Sequence, residues 1–185
     1  NGFVEGEVQV KLKGFAKARG DVHRDGDWHR SVHVWVVHPA SRQLVLQLRS
    51  KHKDTHPNMW DVSSAGHITG EDEVGITAVR EVEEELGLTG FGPADLDTLF
   101  TVITDCSSDT IKDREYQSVF LLEVGELQRL SSMEVGESEV AGVKLVSIPE
   151  YRRSLLEGDA TMVPRPPHYI ERFFAILAER YPPLA

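Results

Sequence analysis

Between Trp60 and Leu88 the chain reads WDVSSAGHITGEDEVGITAVREVEEELGL, and no other stretch limits its fold and chemistry as tightly. The pattern predicts a short strand, a loop bearing Gly66 and one amphipathic helix from Glu73 to Leu86. Thr69 or Asp72 is its expected N-cap and Gly87 its terminator. Ala78, Val79, Val82 and Leu86 recur at helical spacing and supply the buried stripe. On another face Glu81, Glu84 and Glu85 stand at i, i+3 and i+4, so their carboxylates share one patch. Like charges so spaced cost only about 0.2–0.5 kcal/mol per pair, so a solvated acidic face is one explanation. The other is a site for a hard divalent cation, which takes oxygen ligands and completes its shell with water and phosphate. The bunching within one turn, Arg80 one turn before Glu84, and the nearby Gly66 carbonyl favour the cation.

This order of residues resembles the signature of the Nudix hydrolases. That pattern is Gly, five residues, Glu, seven residues, Arg-Glu, a bulky aliphatic, any residue, Glu-Glu, any residue, Gly and a bulky aliphatic. Gly66, Arg80, Glu81, Val82, Glu84, Glu85, Gly87 and Leu88 keep every spacing. Asp72 stands where the family has Glu; its carboxylate is one methylene shorter, with Glu71 and Glu73 as neighbours that would compensate. The resemblance implies an α/β/α sandwich around a mixed sheet, Mg²⁺ (or Mn²⁺) as cofactor, and a small-molecule diphosphate as substrate.

At 185 residues the chain fits one domain spanning 1–185. A formal net charge of −10 disfavours a grip on nucleic acid or an anionic membrane, both of which rely on clustered Lys and Arg. Cys106 is the only cysteine, which excludes an intrachain disulfide. No apolar run reaches transmembrane length and the start lacks a signal-peptide shape, so a cytoplasmic location is expected. The first residue is Asn1 rather than Met, which leaves a presequence or fused neighbour open.

Residues 1–20 read as an N-terminal arm or short strand, and 21–28 as a polar turn around Asp25-Gly26. Val32, Val34 and Val36 alternate along a strand over 31–38, and 43–48 (QLVLQL) returns as its hairpin partner. A basic, His-rich loop over 49–57 leads into the central stretch. Further strands are expected over 98–104, 117–124 and 140–148, and a helix over 149–157 with Pro149 in its first turn. A closing amphipathic helix over 169–180 belongs to a C-terminal helix and tail, 165–185, that docks on the domain or on a partner.

The flanks resemble a branch of the same superfamily, the isopentenyl diphosphate isomerases and nearby hydrolases. The matching segments are HRDGDWHRSVHVWVV, LQLRSKHKD, MWDVSSAGH and DREYQSVF. The resemblance implies a metal on His23, His29, His67, Asp113 and Glu115, a diphosphate held by Arg49 and Lys53, and a pocket lined by Trp60. Taken alone, His23 and His29 read as surface or turn histidines rather than ligands, and Asp113 and Glu115 either line the site or form a solvated rim. Lys51 belongs to the solvated loop, and Glu139 is a weaker carboxylate of the same type. Trp28, Trp35, Phe100 and Tyr116 are further candidates for apolar walls.

Those isomerases carry a catalytic Cys directly before the Gly-His pair. Here the position is Ala65, whose methyl group moves no proton, and the full carboxylate set is kept. The expected activity is therefore hydrolysis of a diphosphate linkage, in a short isoprenoid diphosphate or a nucleoside diphosphate derivative. Gly66, His67, Glu81, Glu84 and Glu85 are the expected metal ligands. Glu84 or Glu85 is the general base, oriented by Arg80, with Glu115 as the alternative. The competing readings are an isomerase-like enzyme and a non-catalytic metabolite-binding module.

Overall fold

The computed structural model describes residues 2–4, 16–70, 72–107, 112–131, 133–136 and 138–182. In chain order its strands are β1 (Gly2–Val4), β2 (Trp28–His38), β3 (Gln43–Arg49), β4 (Trp60–Asp61), β5 (Ser64–His67), β6 (Leu96–Asp105), β7 (Arg114–Glu123) and β8 (Val140–Ser147). The helices are α1 (Arg19–Asp25), α2 (Val74–Leu86), α3 (Leu127–Ser131), α4 (Ile148–Glu157) and α5 (Pro167–Arg180).

All eight strands join one mixed sheet, with β2 parallel to β7 and the other pairs antiparallel. Strand β2 is its spine. Its alternating side chains feed two cores, as expected of a strand covered on both faces. Val32, Val34 and Val36 bury against Ala78, Val82 and Leu86 of α2. Trp35 and Val37 bury against Tyr151 of α4 and Tyr169, Phe173, Phe174 and Leu177 of α5. The result is the expected α/β/α sandwich, with the C-terminal helix docked on its own sheet.

The sheet forks, and the fork positions the site. Strands β2 and β3 pair only at Val37–Leu44 and His38–Gln43. Beyond that point β2 pairs with β5, from Ser31–His67 to Val34–Ser64, while β3 pairs with β4 and β8. Ser63, fully buried at the fork, accepts from the Val36 N–H at 2.8 Å and donates to the Val45 carbonyl at 2.6 Å. One hydroxyl thus meets backbone groups on both diverging strands, which would otherwise be buried unpaired.

Several local expectations need correction. The N-cap of α2 is Glu73, without a side-chain cap bond, because the Asp72 carboxylate pairs with Arg80 at 3.3 Å instead. Gly87 ends the helix as expected, at φ 64°. Gly66 lies in strand β5 opposite Val32, not in a loop. Residues 21–28 contribute most of α1, which fully buries no apolar side chain and so has no apolar period. Trp35 and Phe100 are core residues closed to solvent, not pocket walls. Among the described residues no helix is long and apolar enough to cross a membrane.

Candidate metal and active site

The α2 carboxylates meet the sheet at its fork. Glu85 is 3 % exposed, and its Oε2 accepts from the Ala65 N–H of β5 at 2.9 Å and from Gln47 Nε2 of β3 at 3.1 Å. Its Oε1 lies 3.9 Å from Lys53 Nζ, and the same ammonium is ion-paired with Glu139. Burial pushes the Glu85 carboxyl up to about 7, despite the Ala65 N–H and Lys53. Near neutrality it is poised between acid and carboxylate, and a cation would draw it to the carboxylate.

Glu81 is half-buried over Gly66. A methyl group at Gly66 would stand 2.1 Å from Glu81 Cδ, so only glycine leaves room for this carboxylate. Burial, reinforced by Glu84 and Glu139, holds Glu81 above the usual carboxylate range although Arg80 opposes it. Arg80 lies between Asp72 at 3.3 Å and Glu81 at 3.5 Å. Glu84 is solvent-exposed beside them. The three glutamates therefore differ: one is locked in the fork, one covers glycine, one is free in water. Their oxygens do not all lie within 4.8 Å of one another. The close fit at Gly66 makes a test: Gly66→Ala is expected to displace Glu81 and lower kcat at least tenfold, with the melting temperature nearly unchanged. Steady-state kinetics beside calorimetry check it, and undiminished kcat would detach Glu81 from turnover.

A second group forms on the other face of the sheet. In the parallel β2–β7 pair His29 stands beside Glu115, and in the antiparallel β2–β5 pair Ser31 stands beside His67. Alternation along β2 puts His29 and Ser31 on one side, so His29, His67 and Glu115 share a face. His23 arrives from α1 and Asp113 from the approach to β7. His67 Nε2 lies 3.1 Å from Glu115 Oε1, and His29 Nε2 lies 3.4 Å from Glu115 and 3.5 Å from Asp113. His23, His29 and His67 form one cluster with donor atoms within 4.8 Å, and His29, Asp113 and Glu115 another. The Nε2 atoms of all three histidines, and Asp113 Oδ1, are buried without a hydrogen-bond partner. Four unmet donor atoms aimed together fit a cation that accepts both imidazole and carboxylate, such as Mn²⁺ or Zn²⁺. Burial alone would raise the Glu115 carboxyl, but the His29 and His67 imidazoles beside it hold it well below its usual range.

The residues expected to hold substrate are placed unequally. Lys53 faces the α2 glutamates. Arg49 is turned inward, donating to the Thr55 carbonyl from Nε at 3.0 Å and to Asp61 from Nη1 at 3.0 Å. Trp60 is half-buried beneath Lys144, whose Nζ lies 4.1 Å from its ring centroid. Trp28, 46 % exposed, and Tyr116 form an aromatic pair at 5.3 Å. Ala65 stands in β5 and Cys106 just past the end of β6, its N–H on the Asp113 carbonyl. Glu71 lies outside the described residues. Gln47 was not singled out by its sequence position, although an amide in the run QLVLQL was the available signal.

The sequence matches the NUDIX domain family over residues 27–166. It is 42% identical over 154 residues to Nudix hydrolase 3 of Arabidopsis thaliana, a match covering 82% of this chain and 20% of that protein. It is 33% identical over 141 residues to an uncharacterised Nudix hydrolase of Clostridium acetobutylicum, covering 75% of this chain and 66% of that one. The chain thus spans less than two thirds of either relative. The crystal structure of a NUDIX hydrolase from Alicyclobacillus acidocaldarius superposes with a TM-score of 0.59 at 14% identity, covering 84% of this chain and 91% of that one, and so shares its fold.

Proposed function

The chain belongs to the NUDIX domain family, and from that premise we propose that it is a divalent-cation-dependent hydrolase that splits a diphosphate linkage with water. The observation that carries this reading is the set of unlike glutamates on α2: Glu85 braced in the fork, Glu81 over Gly66, and Glu84 free beside them. Glu81, Glu84, Glu85 and the Gly66 carbonyl would hold Mg²⁺ or Mn²⁺, which when bound neutralises phosphate charge and acidifies water. Glu84 is the group free to take a proton from the attacking water, since Glu85 is engaged by two donors. Arg80 steadies Glu81 against Asp72. Lys53 neutralises the diphosphate as the P–O bond breaks and the monophosphate leaves. His23, His29, His67, Asp113 and Glu115 would hold a second cation, which keeps Glu115 out of proton transfer.

The substrate is a small diphosphate, and a short isoprenoid diphosphate is favoured by this second cluster, which matches the isomerase-like pattern. Nucleoside diphosphate derivatives are the competing class, supported by the exposed Trp28–Tyr116 pair on which a base can stack. Isomerisation is disfavoured because Ala65 has no proton to give.

A phosphate-release screen over prenyl and nucleoside diphosphates tests it. Turnover with added Mg²⁺, abolished by chelation, is the expected result. Ligand-induced thermal stabilisation without turnover would replace the hydrolase by a non-catalytic binding module.

A further inference from the structure

Gln47 breaks the pattern of the strand that carries it. Leu44, Val45 and Leu46 of β3 are closed to solvent and feed the two cores, and Gln47 follows them at 1 % exposure. A buried primary amide brings two donors and an acceptor oxygen that all need partners. Its Oε1 is buried and has none, which is a standing cost to the fold. Where a sequence keeps a polar group that packing alone would replace, function is the place to look for the return.

The amide's one hydrogen bond points to that function. Nε2 donates to Glu85 Oε2 at 3.1 Å, the same oxygen that accepts from the Ala65 N–H. The donors reach it from both arms of the fork, β3 and β5. With Oε2 held twice, Oε1 is the oxygen turned toward Lys53. The amide's orientation follows from chemistry, because only its NH₂ end can serve a carboxylate.

We propose that Gln47 is a positioning residue for the hydrolysis: it clamps Glu85 so that Oε1 is presented to the cation. This rests on the α2 glutamates being cation ligands. Gln47 touches neither substrate nor water. Partners that orient a ligand in this way change metal affinity or activity by about 10–100-fold when removed.

Gln47→Leu is the decisive variant, because it fills similar volume while deleting both the clamp and the unmet Oε1. Mn²⁺ titration followed by electron paramagnetic resonance first identifies the binding class that Glu85→Gln abolishes. In Gln47→Leu that class should weaken about 10–100-fold and kcat fall similarly, while the melting temperature holds or rises. A lowered melting temperature with unchanged Mn²⁺ affinity and kcat would overturn the proposal, leaving Gln47 a structural hydrogen bond. If Gln47→Leu does not fold, Gln47→Asn, which keeps the amide but withdraws Nε2 by one methylene, is read by the same criteria. Mn²⁺ binding indifferent to Glu85→Gln, in an enzyme that still turns over, would overturn the α2 ligand assignment and this proposal with it. A wild type without any turnover would defeat the hydrolase reading separately.

Discussion

Glu84→Gln is expected to reduce turnover by about 10²–10⁴-fold while leaving the fold intact, the range a positioned proton acceptor contributes. The substitution preserves shape and removes both the ability to take a proton and the negative charge. Glu84 is exposed, so its replacement disturbs no packing, and surface changes of this kind stay within about 0.5 kcal/mol of wild type. The sign of that small change is also fixed. Glu84 raises the Glu81 carboxyl by repulsion, so neutralising it relieves the helix by about 0.2–0.5 kcal/mol at most. Stability should therefore hold or rise slightly as activity collapses. Glu83→Gln is the control: the same chemistry, one residue earlier and also exposed, off the patch shared by Glu81, Glu84 and Glu85. Rapid-quench kinetics with Mg²⁺, beside a thermal melt, separate the two outcomes. Equal kcat in Glu84→Gln and wild type would remove Glu84 from the chemistry.

What could be read from the chain, and what could not, follows from the range of the interactions. Helix α2 and strands β2, β3, β7 and β8 announce themselves because their apolar spacing is local. Helix α1 does not, because none of its apolar side chains is fully buried; the left-handed Gly26 closes it, and the side chain it turns inward is His23, toward His29 and His67. The spacing of Glu81, Glu84 and Glu85 was visible, but not that the three would have unlike surroundings. That difference comes from the fork, made by strand pairings far apart in sequence. The histidine cluster shows the same limit. His29 and Glu115 become neighbours only through the parallel β2–β7 register, and spacing along the chain does not encode that register. Lys53 ends beside the glutamates while Arg49, four residues earlier, turns into the core, because Arg49 ends a strand whose neighbour supplies Asp61.

Asp61→Ala is expected to cost about 3–5 kcal/mol, the penalty for removing one partner of a buried ion pair. Asp61 is 4 % exposed in the two-residue strand β4. Its Oδ2 accepts from Arg49 Nη1 at 3.0 Å and its Oδ1 from Arg165 and from the Val62 N–H at 2.7 Å. Two largely buried guanidiniums thus share one carboxylate, and deleting it leaves like charges facing each other without water. Arg165 leads into α5, where Tyr169 accepts from Trp35 Nε1 at 2.8 Å, so the loss would loosen the helix that closes the core. It would also free the loop that carries Lys53, since Arg49 ties that loop at the Thr55 carbonyl, and KM should rise in any variant that still folds. Burial alone would raise the Asp61 carboxyl, but Arg165 and Arg49 outweigh it and hold it below its usual range. A carboxyl depressed in the folded state adds stability that is complete above its unfolded value, about 4, and lost as pH falls through the folded one. The gap between wild type and Asp61→Ala in urea unfolding should therefore be full near neutrality and shrink in that acid range. Pairing Asp61→Ala with Arg165→Met should recover part of the loss, because replacing buried charges with apolar groups is often neutral or better. A single variant within about 1 kcal/mol of wild type would mean that water reaches the guanidiniums, and that β4 is not the tie between α5 and the lysine loop.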